Sequence, residues 1–439
     1  MTTPIFDFVK KYAEGKAARF HMPGHKGRGA FGPEAFDITE ISGADVLYSA
    51  DGIIAESEDN LSSLYGTAHS FYSTEGSTLA IKAMLRLATI GAERPLVLAA
   101  RNVHASFVRA AALLDLDVEW IYPNEEEHLC SCRISPRDIQ MAVERSQRSV
   151  SAVYITSPDY LGNIADVSSL ARTCKRYDIP LLVDNAHGAY LKFLPEDRHP
   201  ITLGAAMCAD SAHKTLPVLT GGAYLHISPD YPEYVAMARE ALSLFASTSP
   251  SYLTLGSLDL CNERLASGYA DRISALAARS ADIKAKISAL GYEVQDTEPL
   301  KIVIKQGEDL ADHLRGCSVE PEFSDKEYTV LMLTPENSDE DFGRLFDALS
   351  TFKAEKAIDE NIFIPKLHDR EMTIRQAVFA PSELVLVEKS VGRICASPTV
   401  SCPPAVPIVI SGERITPDDL TLFNHYGIKT VSVVIEKNK

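Results

Sequence analysis

The stretch "AAMCADSAHKTL" (residues 205–216) places a short apolar run directly before a serine, a histidine and a lysine. A lysine at the end of a buried strand is costly unless it stays near water, pairs or reacts. The stretch "IPLLVDNAHG" (179–188) has the same form, with an apolar run that ends in Asp184 and His187. Continuous apolar runs that end in polar residues are typical of buried parallel strands. Both stretches are therefore predicted to be neighbouring strands of one sheet.

Other segments extend this pattern toward the N-terminus. Strands are predicted in "RPLVLAARN" (94–102), "DVEWIYP" (117–123) and "SVSAVYITS" (149–157), with helical patterns between them. This alternation predicts an α/β fold with a mainly parallel sheet that is covered on both faces. Ligands bind outside the carboxyl ends of the strands in such sheets. We therefore expect the polar residues that follow the strands to converge on one rim: Asn102, His104, Ser157, Asp159, Asp184, His187, Ser211, His213 and Lys214.

The chain has 439 residues, which is too long for one compact core. Three parts are predicted from the patterns. Residues 1–60 form an N-terminal helix and an irregular arm, residues 61–290 form the large domain, and residues 291–439 form a smaller C-terminal α/β part.

Composition and spacing exclude several classes of protein. The net charge is −17 and no basic block is present, so nucleic acid is not expected as a partner. No run has the length of a membrane span, and the N-terminus lacks the apolar core of a signal peptide. The eight cysteines have no CxxC spacing, which favours reduced thiols in a cytoplasmic protein. No metal site is expected, because Pro23 and Gly24 interrupt the helical spacing of His21 and His25.

Asp184 and Lys214 together indicate a specific chemistry. A buried carboxylate stays ionised when it faces a cationic aromatic nitrogen, and it keeps that nitrogen protonated. A buried lysine loses its proton, and the neutral amine attacks aldehydes. A carboxylate, a lysine and a flat heteroaromatic aldehyde are the parts of a pyridoxal 5′-phosphate (PLP) site.

A phosphate group needs its own binding site, and "TEGSTLA" (74–80) offers one at the start of a predicted helix. Gly76 allows close approach of the backbone, and Ser77 and Thr78 add hydroxyls to the free N–H groups of the first turn. Taken alone, such a motif is usually a helix cap, so the prediction depends on the co-occurrence of the motifs at successive strand ends. A Rossmann dinucleotide site is excluded, because no strand precedes the glycines of "GHKGRG" (24–29).

The motifs resemble those of a known family, the fold-type-I PLP-dependent decarboxylases of ornithine, lysine and arginine in their shorter bacterial form. The resemblance covers most of the chain. It is carried by "FHMPGHKG" (20–27), "DITEISGADVL" (37–47), "STEGSTLAIKAML" (73–85), "RNVHASF" (101–107), "TSPDYLGNIAD" (156–166), "LLVDNAHGAY" (181–190), "DSAHKTLPVLTGGAYLH" (210–226), "STSPSYLTLGSLD" (247–259) and "CPPAVPIVISGERI" (402–415).

The resemblance implies a role for each matched residue. Lys214 would hold the cofactor covalently, Asp184 would pair with its pyridinium nitrogen, and His104 would stack on its ring. His187 would lie near the ring oxygen, and Lys214 or His213 would return a proton to the substrate. The phosphate would be held by Gly76, Ser77, Thr78, Ser211 and His213. The family also implies a homodimer or higher homo-oligomer with active sites at the subunit interface.

Several positions depart from the family pattern. Glu75 stands where the family has asparagine, Ala105 where it has lysine, and Ser397 where it often has glutamate. The C-terminal motif reads "CPPAVP" (402–407) and "SGE" (411–413) instead of "YPPGIP" and "PGE". These changes lie outside the expected cofactor core, so they bear on the substrate more than on the cofactor.

The resemblance implies decarboxylation of arginine, lysine or ornithine to an amine that serves as a polyamine precursor, with CO₂ as the other product. Two alternatives stay open. One is another PLP-dependent reaction, such as that of an aminotransferase, for which Arg393 is a candidate ligand of the α-carboxylate. The other is a non-catalytic paralogue that binds cofactor or a partner protein without turnover.

Overall fold

The architecture comes from a computed structural model, which describes residues 1–122, 128–353, 368–398 and 405–436. Its α-helices are α1 Pro4–Glu14, α2 Ile53–Tyr65, α3 Gly76–Ala88, α4 Ala105–Leu114, α5 Pro136–Arg145, α6 Val167–Arg176, α7 Ala212–Thr215, α8 Val235–Ser243, α9 Tyr252–Arg264, α10 Ala270–Ala289, α11 Glu308–Gly316, α12 Asp339–Thr351, α13 Ile374–Val378 and α14 Pro417–His425. Its strands are β1 His69–Ser73, β2 Leu96–Ala100, β3 Asp117–Ile121, β4 Ala152–Thr156, β5 Leu181–Asp184, β6 Met207–Asp210, β7 Ala223–Ile227, β8 Lys301–Ile304, β9 Phe323–Ser324, β10 Thr329–Met332, β11 Ser382–Leu386 and β12 Thr430–Val434.

A seven-stranded sheet has the order β1–β7–β6–β5–β4–β2–β3. The pairs β2–β3, β2–β4 and β5–β6 are parallel, whereas β7 runs antiparallel to both β1 and β6. Every residue of β2, β5, β6 and β7 is buried, as expected for strands covered on both faces. The predicted α/β fold with a mainly parallel sheet is confirmed. The smaller sheets are β8–β10–β9 and β11–β12.

The chain divides into two compact units, each built from two stretches of sequence. Unit 1 comprises Met1–Ile90 and Val167–Ala275, and unit 2 comprises Gly91–Asp166 and Leu276–Lys439. The predicted boundaries at residues 60 and 290 stay a prediction.

Three helices of unit 1, α1, α2 and α9, pack against one another. The predicted N-terminal helix is present as α1, with Ile5 and Val9 buried, and each such side chain contributes about 2 kcal/mol by leaving water. Asp45 fixes the start of α2, because its carboxylate accepts hydrogen bonds from the backbone N–H groups of Gly52 and Ile54 at 2.9 Å each. The motif that contains Asp45 thus positions a helix.

Unit 2 has its own apolar core in the C-terminal part, where α14 and β12 pack with the buried residues Ile408, Val409 and Ile415. Arg101, directly after β2, donates to the backbone carbonyls of Pro407 and Ile408 at 2.9 and 2.8 Å. The "SGE" segment has a local contact of its own, because the Glu413 carboxylate accepts a hydrogen bond from the N–H of Ile410 at 2.8 Å. Residues 402–404 of the altered "CPPAVP" motif lie outside the described residues.

None of the helices in these described stretches combines the length and the apolar character that a membrane span needs.

Candidate active site

Lys214 lies one turn beyond the end of β6, in the short helix α7, and its side chain is half-buried. Its Nζ is 3.0 Å from Nε2 of the buried His187, which follows β5. Because β5 and β6 are adjacent and parallel, their carboxyl ends bring the two side chains to the same edge of the sheet. The predicted convergence of these strand ends is therefore present in unit 1.

Asp184 is the last residue of β5 and is only 2% exposed. Its Oδ1 accepts a hydrogen bond from the N–H of Ala186 at 3.2 Å. The chain then turns tightly, and a Cβ on Gly188 would lie 2.0 Å from Oδ1 of Asn185, so a side chain at this position would displace the Asn185 amide. Asn185 in turn donates to Asp210 at 2.7 Å. The glycine of "DNAHG" thus leaves room for the Asn185 amide to bond Asp210 beside Asp184.

Three of the five predicted phosphate-binding residues, Gly76, Ser77 and Thr78, form the first turn of α3, and a fourth contacts it. Ser211 Oγ donates to Ser77 Oγ at 2.8 Å, which joins the residue after β6 to the first turn of the helix. Gly76 has a φ of +72°, and a Cβ there would meet no atom within 4 Å, so the space in front of the turn is open. Thr78 is half-buried in the same turn. N–H groups in the first turn of a helix attract anions, so the arrangement suits a phosphate.

The glycine pair Gly221–Gly222 holds this turn in place, and sequence reasoning missed it. The N–H of Gly76 donates to the carbonyl of Gly221 at 2.7 Å. Gly221 has a φ of +97°, and a Cβ on it would lie 2.8 Å from the carbonyl oxygen of Thr74. Only glycine combines this conformation with such a close approach. A Gly-Gly dipeptide directly before a strand is the signal that could have indicated this role.

Glu75, the first departure from the family pattern, does not cap α3 with its side chain. Its Oε1 instead accepts a hydrogen bond from the N–H of Ser247 at 2.7 Å. Ser247 begins the "STSPSYLTLGSLD" motif, so the carboxylate connects two motifs of the family. The side chain therefore has a partner away from the first turn of the helix.

His213 is oriented by a backbone carbonyl. Its Nδ1 lies 2.9 Å from the oxygen of Gly222, which also accepts from the N–H of His213 at 3.1 Å. A carbonyl oxygen only accepts hydrogen bonds, so Nδ1 carries a proton.

His104 lies in unit 2, where it is the N-cap of α4 and its Nδ1 accepts from the N–H of Ser106 at 3.1 Å. The predicted position at the start of a helix is confirmed, whereas stacking on a cofactor ring stays a prediction. Ala105, the second departure, is buried, and its N–H donates to the carbonyl of Ala405 at 2.8 Å. Ser397, the third departure, is exposed, and its carbonyl lies 3.1 Å from Sγ of Cys395.

Arg393, the candidate for an aminotransferase-like carboxylate ligand, is engaged within unit 2. Its guanidinium donates to Glu383 at 2.8 Å and to the carbonyl of Val434 at 3.0 Å. These contacts give Arg393 a structural role at the β11–β12 sheet.

The comparison with known families identifies the chain. The Orn/Lys/Arg decarboxylase major domain matches residues 3–307. The chain belongs to the Orn/Lys/Arg decarboxylase family. It is 28% identical over 463 residues to an arginine decarboxylase of Bacillus subtilis (strain 168), which covers 95% of this chain and 92% of that protein. An arginine decarboxylase of Bacillus anthracis is 27% identical over 457 residues and is covered to 92%.

Solved structures agree with the fold. The lysine decarboxylase LdcF of Francisella novicida superposes with a TM-score of 0.84 at 17% identity, covering 99% of this chain and 81% of that one. A serine palmitoyltransferase of Sphingomonas wittichii reaches a TM-score of 0.54 at 17% identity and covers 67% of this chain. The predicted fold-type-I architecture and the predicted decarboxylase class are both confirmed, and the family and its structural neighbours are PLP-dependent enzymes.

Proposed function

We propose that this decarboxylase uses PLP to remove the α-carboxylate of arginine, with lysine and ornithine as the next candidate substrates. The observation that carries the proposal is the grouping in unit 1 of Lys214, His187, Asp184 and the first turn of α3 at two adjacent strand ends. Arginine comes first because relatives that match over almost the whole chain are arginine decarboxylases.

The residues present fit the cofactor. Open space lies in front of Gly76, and the hydroxyls of Ser77 and Ser211 face each other beside it. Together with the N-terminal turn of α3 and Thr78, they offer donors to a phosphate. Asp184 is buried and can hold a pyridinium proton, and the half-buried Lys214 can reach an aldehyde.

Each side chain has a separate task in the proposed reaction. When bound, PLP would supply the electron sink for cleavage of the bond to the carboxylate. Asp184 would keep the ring nitrogen protonated, and burial strengthens that interaction. His187 lies within hydrogen-bond distance of the Lys214 amine and would orient it.

The α-carbon needs a proton after CO₂ leaves. Lys214 Nζ and the imidazole of His213 are both groups that could donate this proton. In His213 the donor would be Nε2, because Nδ1 bonds to the carbonyl of Gly222. Half-burial of both side chains leaves them a route to solvent from which the proton can be replaced.

We also propose a cytoplasmic homodimer or higher homo-oligomer that takes part in polyamine biosynthesis. The resemblance supports this, and so does the N-terminal arm, where Phe20, Met22 and Phe31 are 94%, 69% and 87% exposed in the isolated chain. Light scattering of the purified protein tests the assembly, and a monomer at micromolar concentration would contradict it.

The experiment for the reaction is release of CO₂ from carboxyl-labelled arginine, lysine and ornithine by PLP-loaded protein. We expect release from arginine, and loss of it by at least about 10³-fold in Lys214→Ala. Lys175→Ala is the matched control, because Lys175 is exposed and pairs with Asp230 on the surface of unit 1.

Three outcomes separate the alternatives. Release from none of the three amino acids would overturn the substrate assignment. Transfer of the amino group to a keto acid would indicate an aminotransferase. Bound cofactor without turnover of any amino acid would indicate a non-catalytic paralogue.

A further inference from the structure

Four side chains in unit 1 form a cluster that the proposed reaction does not use: His199, Cys208, Asp210 and His226, named here the His-Cys-Asp cluster. All four are 0% exposed. On β6, Cys208 and Asp210 flank Ala209, which pairs with Asp184 of the neighbouring strand β5. Because side chains alternate between the faces of a sheet, the cluster lies on the face opposite to Asp184.

Three of the four side chains, His199, Cys208 and Asp210, place their ligand atoms close enough together to contact one ion. The ligand atoms of His199, Cys208 and Asp210 all lie within 4.8 Å of one another. Asp210 Oδ2 is 3.1 Å from His199 Nε2 and 3.4 Å from His226 Nε2, and Cys208 Sγ is 3.8 Å from His199 Nε2. Tetrahedral coordination at zinc bond lengths places neighbouring ligand atoms about 3.3–3.8 Å apart.

His226 supplies an independent observation. Its Nδ1 is 2.7 Å from Ser70 Oγ, which fixes the ring so that Nε2 points toward Asp210. Nε2 is fully buried and faces Asp210 Oδ2 at 3.4 Å, without the geometry of a regular hydrogen bond. The ring also stacks on Tyr65 at a centroid distance of 4.4 Å, so it has one orientation. A ring nitrogen fixed in this way by its other nitrogen is the usual arrangement of a histidine that binds metal.

We infer that the His-Cys-Asp cluster is a structural site for a zinc-type divalent ion. The ligands are Nε2 of His199, Sγ of Cys208 and a carboxylate oxygen of Asp210. Nε2 of His226, which lies 3.4 Å from Asp210 Oδ2 but outside this group of three, would move toward the ion as the fourth ligand. Binding displaces the thiol proton of Cys208 to solvent, and the thiolate and the carboxylate then balance the two charges of the ion. One sulfur, two imidazole nitrogens and one carboxylate form a ligand set typical of zinc.

The ion would join three elements of unit 1. Cys208 and Asp210 belong to β6, His226 belongs to the neighbouring strand β7, and His199 comes from the segment before β6. Since Ser211 and Lys214 follow β6 directly, the site would fix the strand that carries the active lysine. The role of this metal site is structural, and the proposal does not depend on which amino acid the enzyme decarboxylates.

The test is elemental analysis of tag-free, PLP-loaded protein produced in medium supplemented with zinc chloride. We expect about one zinc ion per chain after passage over a chelating resin. Cys208→Ser should lose most of the metal, whereas Cys174→Ser should keep it, because Cys174 is an equally buried cysteine on α6.

A second measurement is made on wild-type protein, so the test remains decisive if Cys208→Ser does not fold. Wild-type protein stripped with a chelator and titrated with cobalt chloride should develop the charge-transfer absorption of a thiolate–cobalt bond, and Cys208→Ser should lack it. Folded wild-type protein with less than about a tenth of a zinc ion per chain and no thiolate–cobalt absorption would overturn the assignment. The four side chains would then form a hydrogen-bonded ionic network alone.

Discussion

Substitution of Gly221 by alanine tests whether the Gly-Gly turn positions the phosphate site. The φ of +97° costs an alanine about 1–2 kcal/mol, because its Cβ crowds the backbone in the left-handed region. The new Cβ would also lie 2.8 Å from the carbonyl of Thr74, and relief of that overlap costs about 1–3 kcal/mol more. The shift would displace the carbonyl that accepts from the N–H of Gly76.

Gly91→Ala is the matched control. Gly91 has a φ of +82°, but a Cβ there would meet nothing within 4 Å, and Gly91 lies beyond the far end of α3. The control therefore carries the cost of the left-handed backbone without the contact at the phosphate site. Titration of cofactor-free protein with PLP, followed by absorbance, measures the affinity, and urea unfolding measures the stability.

We expect Gly221→Ala to raise the Kd for PLP at least about 10-fold, which corresponds to 1.4 kcal/mol. Gly91→Ala should lower the resistance to urea while leaving the Kd within about twofold. Equal PLP affinities for the two variants would refute the role of Gly221. If Gly221→Ala does not fold, Ser77→Ala probes the same turn, because it removes the hydroxyl that meets Ser211.

Three other perturbations give further tests. Asp184→Asn should lower kcat by about 10²–10⁴-fold while PLP stays bound, because an amide cannot keep the ring nitrogen of PLP protonated. Unchanged release of CO₂ by this variant would contradict the role of Asp184. Glu75→Gln should keep the hydrogen bond from the N–H of Ser247. It should also tighten PLP binding about 2–5-fold, because it removes a negative charge beside the N-terminus of α3. Weaker binding in the PLP titration would contradict this expectation. Burial raises the pKa of Asp259 from 3.8 to about 6, so its stabilisation is fully present only below pH 3.8 and is lost as the pH rises through 6, at about 3 kcal/mol in total. The urea midpoint should therefore drop less between about pH 5 and about pH 8 in Asp259→Asn than in wild type. Equal drops in the two proteins would contradict the raised pKa of Asp259.

The fold could be predicted where strands are continuous apolar runs. β2, β4, β5 and β6 were expected from such runs, and each ends where polar residues begin. β1 "HSFYS" and β7 "AYLHI" were not predicted, because polar residues interrupt their short apolar patterns. α2 was also missed, since it lies at the end of a segment that was assigned to an irregular arm. Tertiary packing rather than local pattern decides these elements.

The candidate site was predicted through side-chain chemistry, and what was missed depends on backbone geometry. The co-location of Lys214 with His187 was expected from the ends of parallel strands. That of Ser77 with Ser211 was expected from the phosphate-binding role that the resemblance implies for both. The role of Gly221 follows from a φ angle and a carbonyl contact, which no residue pattern encodes. The His-Cys-Asp cluster has no recognisable ligand spacing in sequence, because β6, β7 and a loop bring its members together only in the fold.

The hydrogen bond between Gly76 and Gly221 has a consequence for biosynthesis. The first stretch of unit 1 leaves the ribosome early, but its partner stretch begins at Val167, after the first part of unit 2 has been made. A nascent chain that ends before the Gly-Gly turn cannot build the proposed phosphate pocket, however well its N-terminal helices have formed. Cofactor capture during translation must therefore wait until both strand ends and this turn have emerged, and shorter nascent fragments should show no affinity for PLP.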